Sequence, residues 1–281
     1  MNKEYLDNFV AFAMKEDIGN GDHSSLACIP PEQVGNAQII IKENGVLAGI
    51  KLTREILKRI DPGIQTIHCL DDGSMVEKGN RAIELSGSVL SILKSERLIL
   101  NVLQRMSGIA TKTRTYVDRL KDLNTKILDT RKTTPGFRLF EKEAVVIGGG
   151  ENHRMGLYDM ILLKDNHIEF SGGIKNAIED THRYLKKVHK DLKIEIEAHS
   201  LESVREILSI GGIHRIMLDN FSIEETKKAV KLIRGTFETE SSGGITLTNI
   251  REYAECGVDY VSVGDLTTQT KIIDMSLKAI Y

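Results

Sequence analysis

Basic side chains are concentrated in three segments near the middle of the chain, "DTRKTTPG", "GGGENHRMG" and "ILLKDNH". They are Arg131, Lys132, His153, Arg154 and Lys164. The guanidinium of arginine holds a carboxylate or a phosphate through two parallel hydrogen bonds, and lysine adds a point charge. Each residue taken alone could be a solvated loop charge, although Lys164 directly follows apolar residues and could also form a Schiff base. Together they predict a site for a strongly anionic small molecule.

Acidic side chains occur within or at the end of two apolar runs, "IEIEAHS" and "RIMLDN". Glu195 and Glu197 alternate with isoleucines, so in a strand both side chains point to the same face. Buried carboxylates are costly unless they are paired or bind a metal. Glu197 and Asp219 could hold Mg2+ bridged to a diphosphate, because this ion prefers oxygen ligands. The alternative, which is compatible with function, is an ion pair with Lys164 or Arg131.

Glycines end the last two β-rich runs, in "ESSGGIT" and "VSVGDLT". The residues concerned are Ser242, Gly243, Gly244 and Gly264. Backbone N–H groups of a glycine-rich turn before a helix bind phosphate well, and the late loops of a barrel are a frequent phosphate site. The alternative is a plain tight turn, but the placement of these glycines favours contact with a phosphate.

These segments belong to a repeated βα pattern that begins after residue 120. Strand-like runs end in polar residues or glycine, and helical segments separate most of them, which predicts parallel strands with right-handed crossovers. The carboxyl ends of such strands form one edge of the sheet, where both barrels and doubly wound sheets build their sites. We favour a TIM-type barrel, because polar residues end nearly every strand instead of clustering at one point.

The first part of the chain has a mixed pattern. It predicts a helix over about residues 3–15, strands within 36–49 and 65–89, and a helix over 51–60, which together suggest a small sheet with helices on it. A long helical stretch over 92–121, broken near Ser107 and Gly108, is expected to connect the two parts.

The composition excludes several classes of protein. The chain has 281 residues, 41% of them hydrophobic and 28% charged, and 40 acidic residues against 38 basic ones give a net charge of -2. This balance argues against a general binder of nucleic acid or of membrane surfaces. Three scattered cysteines, a charged N-terminal segment and no apolar run near the roughly 20 residues of a membrane span predict a cytoplasmic protein.

Several motifs closely resemble the quinolinate phosphoribosyltransferase family. They are "TRKTTPG", "GGGENHRMGLYDMILLKDNH", "IEIE", "MLDN", "SSGGI" and "GVDYVSVG", and "EDIGNGDHSS", "VLAGI" and "ERLILNVLQRMSGIAT" are similar to the N-terminal half of that family. The resemblance therefore covers essentially the whole chain. It implies that quinolinate and phosphoribosyl pyrophosphate are converted to nicotinate mononucleotide, diphosphate and CO2 with Mg2+, in NAD biosynthesis.

The resemblance also implies an architecture. It is an α/β protein with an N-terminal α/β sandwich domain plus an open TIM-like α/β barrel of the seven-stranded type. The expected domains are residues 1–112, with the tail 270–281 packing back on them, and residues 113–269. The implied assembly is a homodimer with shared active sites, or a higher oligomer.

Roles carried over from the family fall on the residues already singled out. Quinolinate would be bound by Arg131, Lys132, His153, Arg154 and Lys164, and by Arg97 from the neighbouring subunit. Phosphoribosyl pyrophosphate would meet Glu197, Asp219, Ser242, Gly243, Gly244 and Gly264. Lys132, Lys164, Glu197 and Asp219 would form the catalytic set, with Glu197 and Asp219 holding Mg2+ directly or through water.

Two positions depart from the family pattern. Asp265 follows Gly264 where alanine is usual, and His199 stands where the family commonly has an acid or an amide. The alternatives to quinolinate phosphoribosyltransferase are the sister branch associated with molybdenum transport, a nicotinate-using enzyme and a non-catalytic phosphometabolite sensor. The intact Thr133-Thr134-Pro135 favours quinolinate over the sister branch, and the acids beside the bases favour an enzyme over a sensor.

Overall fold

A computed structural model describes residues 3–280 as two compact units. The first contains the chain up to Arg114, Thr134–Gly149 and the chain from Gln269 onward. The second contains Thr115–Thr133 and Gly150–Thr268. The domain boundaries proposed from the sequence stay a prediction. The division by contacts differs from them mainly at residues 134–149, which fall in the first unit.

Strands and helices alternate along most of the chain. The strands are β1 (Val34–Ile41), β2 (Gly45–Val46), β3 (Gln65–Cys69), β4 (Met75–Val76), β5 (Arg81–Ser88), β6 (Lys126–Leu128), β7 (Ile161–Leu163), β8 (Ile194–Ala198), β9 (Arg215–Asp219), β10 (Glu238–Ser242), β11 (Tyr260–Ser262) and β12 (Met275–Ile280). The helices are α1 (Lys3–Ile18), α2 (His23–Cys28), α3 (Ile50–Ile60), α4 (Val89–Arg119), α5 (Arg138–Ile147), α6 (Asp165–Phe170), α7 (Ile174–Val188), α8 (Leu201–Ile210), α9 (Ile223–Ile233), α10 (Ile250–Ala254) and α11 (Asp265–Thr268).

The first unit is built on an antiparallel sheet. Its order is β12-β1-β5-β3, and β2 pairs with β4 in a separate ribbon. In β1 the residues Ala37, Ile39 and Ile41 are buried, whereas their neighbours are at least partly exposed. That alternation is typical of a sheet with one face on a core and one face toward water. The predicted small sheet with helices is therefore confirmed.

Helix α4 runs without interruption from Val89 to Arg119, so the predicted break near Gly108 is wrong. A side chain at Gly108 would collide with the backbone oxygen of Lys271, and this close approach of two backbones requires glycine. The hydroxyl of Ser107 accepts a hydrogen bond from the N–H of Ala48 at 3.0 Å. Both residues therefore serve packing in the first unit, and the helical hydrogen bonds continue through them.

The second unit contains a six-stranded sheet in the order β6-β11-β10-β9-β8-β7. All neighbouring strands in it are parallel, and every residue of β8 is buried. Among the described residues this sheet has six strands, one fewer than the seven-stranded type implies, and an isolated parallel bridge joins Leu128 and Glu151 beside β6. Within residues 3–280, β6 and β7 do not pair with each other, so the sheet is open. The predicted α/β class with parallel strands is confirmed.

Serine caps fix the point at which two helices start behind their strands. Ser200 precedes α8, and its hydroxyl accepts from the N–H of Ser203 at 3.1 Å. Ser222 precedes α9 and exchanges hydrogen bonds with Glu225 in a capping box. These caps limit the loops after β8 and β9 to a few residues, which keeps the strand-end side chains in place.

The sequence predicts no membrane-spanning segment. Between residues 3 and 280 no helix combines the length and the apolar content that crossing a bilayer requires.

Candidate active site

Strand register brings the predicted polar residues to one edge of the second unit's sheet. Ser242 pairs with Asp219, the last residue of β9, and Ala198 next to Glu197 pairs with Leu218. Lys164 directly follows β7, which lies beside β8. All of these residues stand at or near the carboxyl ends of parallel strands, so they form one row along that edge.

Lys164 and Glu197 form an ion pair at this edge. The Nζ of Lys164 donates to Oε1 of Glu197, and the two side chains are 43% and 6% exposed. The ion pair that the sequence offered as an alternative for the acids is thus present, with Lys164 as the partner. A buried carboxylate needs such a partner, and the more exposed ammonium is left at the mouth of the site.

Arg131 and Arg154 bring positive charge close together. Arg154 is buried, and its Nη1 donates to the carbonyl of Met160 at 3.2 Å. Burial, and then the charge of Arg131, lower the pKa of Arg154. Like charges repel more strongly in a partly desolvated place, so the pair is best suited to hold an anion between or beside its guanidinium groups.

Lys132 extends past Gly264. A Cβ atom at Gly264 would lie 3.4 Å from Cδ and 3.8 Å from Nζ of Lys132. The hydroxyl of Thr267 donates to the backbone carbonyl of Lys132 at 2.7 Å. The basic loop after β6 and the loop after β11 are therefore neighbours, as expected if one substrate contacts both.

The glycines at the ends of β10 and β11 differ in their relation to the helices. Gly243 and Gly244 have φ of 89° and 61°, and a side chain at Gly243 would collide with Asn220. The glycine pair stands between β10 and α10, as the sequence predicts, and α10 begins only at Ile250. Gly264, in contrast, directly precedes α11, and contact of these residues with a phosphate stays a prediction.

The imidazole of His153 points into the protein. Its Nδ1 accepts from the N–H of Arg154 at 2.7 Å, and its Nε2 lies 3.1 Å from Glu195 and 3.5 Å from Glu240. The N–H of His153 donates to Asp129 at 2.8 Å. This arrangement holds the segment that carries Arg154, and the predicted contact of His153 with quinolinate stays a prediction.

Glu240 and Arg215 belong to this cluster although sequence reasoning did not single them out. Nη1 of Arg215 lies 3.0 Å from Glu240 and 4.0 Å from Glu195, and the guanidinium stacks over the ring of Tyr260 at 3.9 Å. Burial raises the pKa of both Glu240 and Glu195. The charge of Glu195 raises the pKa of Glu240 further, whereas a hydrogen bond with Glu240 partly offsets the rise for Glu195. Two buried carboxyls beside one guanidinium therefore retain a proton near neutral pH. The alternation of acids in "FETESS" was the available signal.

The acids of this unit differ in how well they suit a divalent cation. His153, Glu195 and Glu240 offer ligand atoms within 4.8 Å of one another, but the guanidinium of Arg215 already neutralises this position. Asp219 offers carboxylate oxygen at the strand edge, where Nδ2 of Asn220 donates to it at 2.8 Å. Hard oxygen donors of this kind fit Mg2+. The role of Glu197 and Asp219 as metal ligands stays a prediction.

His199 and Arg97 are the remaining residues that the sequence singled out. Nδ1 of His199 lies 3.7 Å from Oδ2 of Asp219, so the departure from the family pattern stands beside a proposed metal ligand. Arg97 lies on α4 in the first unit, and its side chain is exposed. Its role in the site of a partner subunit stays a prediction.

The buried acids lead to a prediction on stability. Burial raises the pKa of Glu240 from 4.5 to about 8, so the folded protein keeps a proton that the unfolded chain releases above its ordinary pKa. The free energy of unfolding should therefore fall as pH rises from about 4.5 to 8, by up to roughly 1.4 kcal/mol per pH unit. Glu240→Gln removes the titrating group and should flatten this fall, as urea denaturation at several pH values would measure.

Glu206→Gln, on the exposed face of α8, is the control and should keep the wild-type dependence on pH. If the free energy of unfolding falls with pH equally in wild type and Glu240→Gln, the buried pair does not hold the proton.

Comparison with known proteins matches nearly the whole chain. The family model for the quinolinate phosphoribosyl transferase N-terminal domain matches residues 22–107, and the model for its C-terminal domain matches residues 109–278. The chain belongs to the quinolinate phosphoribosyltransferase family. Both halves of the sequence are therefore family domains, as the motifs in each half indicated.

Named relatives agree with this membership. The chain is 43% identical to a chloroplastic nicotinate-nucleotide pyrophosphorylase (carboxylating) of Oryza sativa subsp. japonica, over 97% of this chain and 77% of the rice protein. It is 41% identical to a probable enzyme of the same name from Bacillus subtilis, over 99% and 94%. The crystal structure of NadC from Streptococcus pyogenes superimposes with a TM-score of 0.92 at 38% identity, over 100% of this chain and 99% of that one.

Proposed function

We propose that this chain is a quinolinate phosphoribosyltransferase. It converts quinolinate and phosphoribosyl pyrophosphate to nicotinate mononucleotide, CO2 and diphosphate in NAD biosynthesis. The observation that carries the proposal is the placement of Arg131 and Arg154 close together in the same unit as the row of strand-end residues that includes Lys164, Glu197 and Asp219. Both substrates are polyanions, and a chain of net charge -2 can hold them only where its bases are concentrated.

The basic side chains bind quinolinate. The guanidinium groups of Arg131 and Arg154 match its two carboxylates, and the ammonium of Lys164 adds charge at the mouth of the site. Lys132 lies beside Gly264, where a phosphate of the second substrate can meet both the ammonium and the backbone. The residues thus bring the ring nitrogen and the ribose together, which removes much of the entropic cost of the reaction.

Bond formation proceeds from the ring nitrogen, which attacks C1 of the ribose as diphosphate leaves. Positive charge develops on the ribose, and the carboxylates of Glu197 and Asp219 stabilise it. Mg2+ held by these acids, directly or through water, would supply neutralisation of the charge on the diphosphate. The quaternised ring then accepts the electron pair of the breaking C–C bond, so the 2-carboxylate leaves as CO2 and C2 takes a proton from water, while the arginines keep the ring in place.

The proposed assembly is a homodimer, or a higher oligomer, in which Arg97 enters the site of the partner subunit. The proposed location is the cytoplasm. The exposed position of Arg97 on α4 is compatible with a role outside its own unit.

A direct assay tests the function. Purified protein with Mg2+, quinolinate and phosphoribosyl pyrophosphate should release diphosphate and CO2 in equal amounts, and removal of the metal with EDTA should abolish turnover until Mg2+ is restored. Nicotinate in place of quinolinate is the matched control and should give no CO2. Diphosphate without CO2 would favour another phosphoribosyltransferase, and release of neither product would favour the sensor or the sister branch associated with molybdenum transport.

A further inference from the structure

The chain segments that lead to Arg131 and Arg154 run side by side within the second unit. The N–H of Glu151 donates to the carbonyl of Ile127 at 2.8 Å, and the N–H of Asp129 donates to the carbonyl of Glu151 at 3.2 Å. These alternating hydrogen bonds are those of a short parallel ladder beside β6. The two segments are therefore in register before each of them continues to its arginine.

The side chain of Asp129 makes the next link in this register. Its Oδ1 accepts from the N–H of His153 at 2.8 Å, and the residue is 0% exposed. In a continued ladder the acceptor would be a backbone carbonyl, so the carboxylate stands at the point where the two segments separate. A hydrogen bond to a carboxylate contributes about 1.5 to 3 kcal/mol, which is more than a bond between two neutral backbone groups contributes.

Arg131 is held on both sides within this unit. Asp129 precedes it by two residues. On the other side, the hydroxyl of Thr267 donates to the carbonyl of Lys132 at 2.7 Å, and the N–H of Lys132 donates to the hydroxyl of Thr130 at 3.1 Å. The backbone of Arg131 therefore lies between one fixed point at Asp129 and another at Lys132.

Arg154 directly follows His153 and is fixed in a similar way. Its N–H donates to Nδ1 of His153 at 2.7 Å, and its Nη1 donates to the carbonyl of Met160 at 3.2 Å. The other ring nitrogen of His153, Nε2, lies 3.1 Å from Oε2 of Glu195. The position of Arg154 thus depends on that of His153, whose own N–H is held by Asp129.

We propose that Asp129 is a positioning residue that sets the spacing between Arg131 and Arg154, and through it the preference of the site for a dicarboxylate. The inference rests on the proposed function for the identity of that dicarboxylate. Because Asp129 is fully buried, it acts through the backbone and does not touch the substrate. Two guanidinium groups at a fixed distance bind two carboxylates together, whereas a monocarboxylate needs only one of them. A displacement of about 1 Å in a group that binds the substrate can cost on the order of 100-fold in rate.

Two variants of Asp129 test this role. Asp129→Asn keeps an oxygen acceptor but makes it neutral, and we expect the KM for quinolinate to rise about threefold. Asp129→Ala leaves the buried N–H of His153 without this acceptor, and we expect a rise of about tenfold or more. The inhibition constant of nicotinate, which has one carboxylate, should stay within about twofold in both variants. The KM for phosphoribosyl pyrophosphate should change as little, because Thr267 still holds Lys132.

Asp259 offers a matched control at the opposite edge of the same sheet. Its Oδ2 accepts from the N–H and from the hydroxyl of Thr239, each at 2.8 Å, just before β11 begins. Asp259→Ala therefore also removes a carboxylate that links two segments, but it does so at the amino ends of the strands. It should lower the free energy of unfolding and leave the KM for quinolinate within about twofold of wild type.

Hydrogen exchange measures the link itself in the absence of substrate. In both Asp129 variants the amides of His153 and Arg154 should exchange faster, whereas peptides of β9 should keep their protection. If Asp129→Ala does not fold, Asp129→Asn still supplies both the kinetic and the exchange measurement.

Three results would overturn the proposal. They are a wild-type KM for quinolinate in Asp129→Asn, an equal rise in the inhibition constant of nicotinate, and an equal effect of Asp259→Ala on the KM. If wild-type protein releases no CO2 from quinolinate, the proposed function fails. Exchange at His153 then decides alone whether Asp129 holds the two segments together, and unchanged exchange in the variants would refute that link.

Discussion

An Arg131→Ala variant is expected to lose turnover with quinolinate while it keeps its fold. Truncating one partner of a desolvated charge pair costs about 2 to 5 kcal/mol, which corresponds to a fall in kcat/KM of roughly 30- to 5,000-fold. The expected value lies in the upper part of this range, because the lost guanidinium would bind a carboxylate with two hydrogen bonds. Steady-state kinetics of diphosphate release, with circular dichroism as the check on folding, measure the effect.

Two further variants serve as comparisons for Arg131→Ala. Arg131→Lys keeps the charge but loses the fork geometry, so its kcat/KM should fall between those of wild type and Arg131→Ala. Arg183→Ala removes an exposed arginine that pairs with Asp180 on α7, and it should leave the kinetics unchanged. A wild-type KM for quinolinate in Arg131→Ala would refute the assigned role.

Mixing two inactive variants should restore activity. In the proposed dimer, an Arg97→Ala subunit paired with an Arg131→Ala subunit has one site with both arginines intact and one site with neither. Random exchange in a symmetric dimer makes half of the dimers mixed, so about one quarter of the wild-type activity should return. Activity measured after exchange of equal amounts of the two variants, against each variant alone, gives this fraction.

Exchange itself must be shown independently, for example by native mass spectrometry of subunits of different mass. Mixed dimers that form and remain inactive would contradict a site shared between subunits. Mixtures of Arg97→Ala with Lys164→Ala should behave in the same way, because Lys164 and Arg131 are assigned to the same subunit's part of the site.

The pattern of apolar and polar residues was sufficient to predict the fold class. Parallel strands between amphipathic helices, with polar residues at the carboxyl ends, are properties of local sequence, and β8 and β9 appear where the runs "IEIEA" and "RIMLD" stand. The helix break at Gly108 was wrong for a reason that no local pattern contains. That glycine is required by the backbone at Lys271, which is distant in the sequence.

Site residues could be predicted where a single charged residue stands out against its apolar neighbours in the sequence. Lys164 after an apolar run and Glu197 within one are conspicuous, and they do form an ion pair. Arg215 and Glu240 were missed because the sequence does not show that they pair with each other. Strand register brings Glu240 and Glu195 to the guanidinium of Arg215. Long-range pairing of this kind is fixed by the tertiary fold and cannot be obtained from periodicity alone.

The C-terminal strand has a consequence for the order in which the protein forms on the ribosome. Strand β12 pairs with β1 along residues 36–41, and Lys271 packs against Gly108, so the first unit lacks part of its sheet until residues 275–280 are synthesised. Most of the second unit, Gly150–Thr268, emerges as one uninterrupted stretch before then. Although N-terminal domains generally fold first during synthesis, here the sheet of the first unit is completed only after Gly150–Thr268 has been synthesised, and the edge of β1 stays exposed until β12 follows.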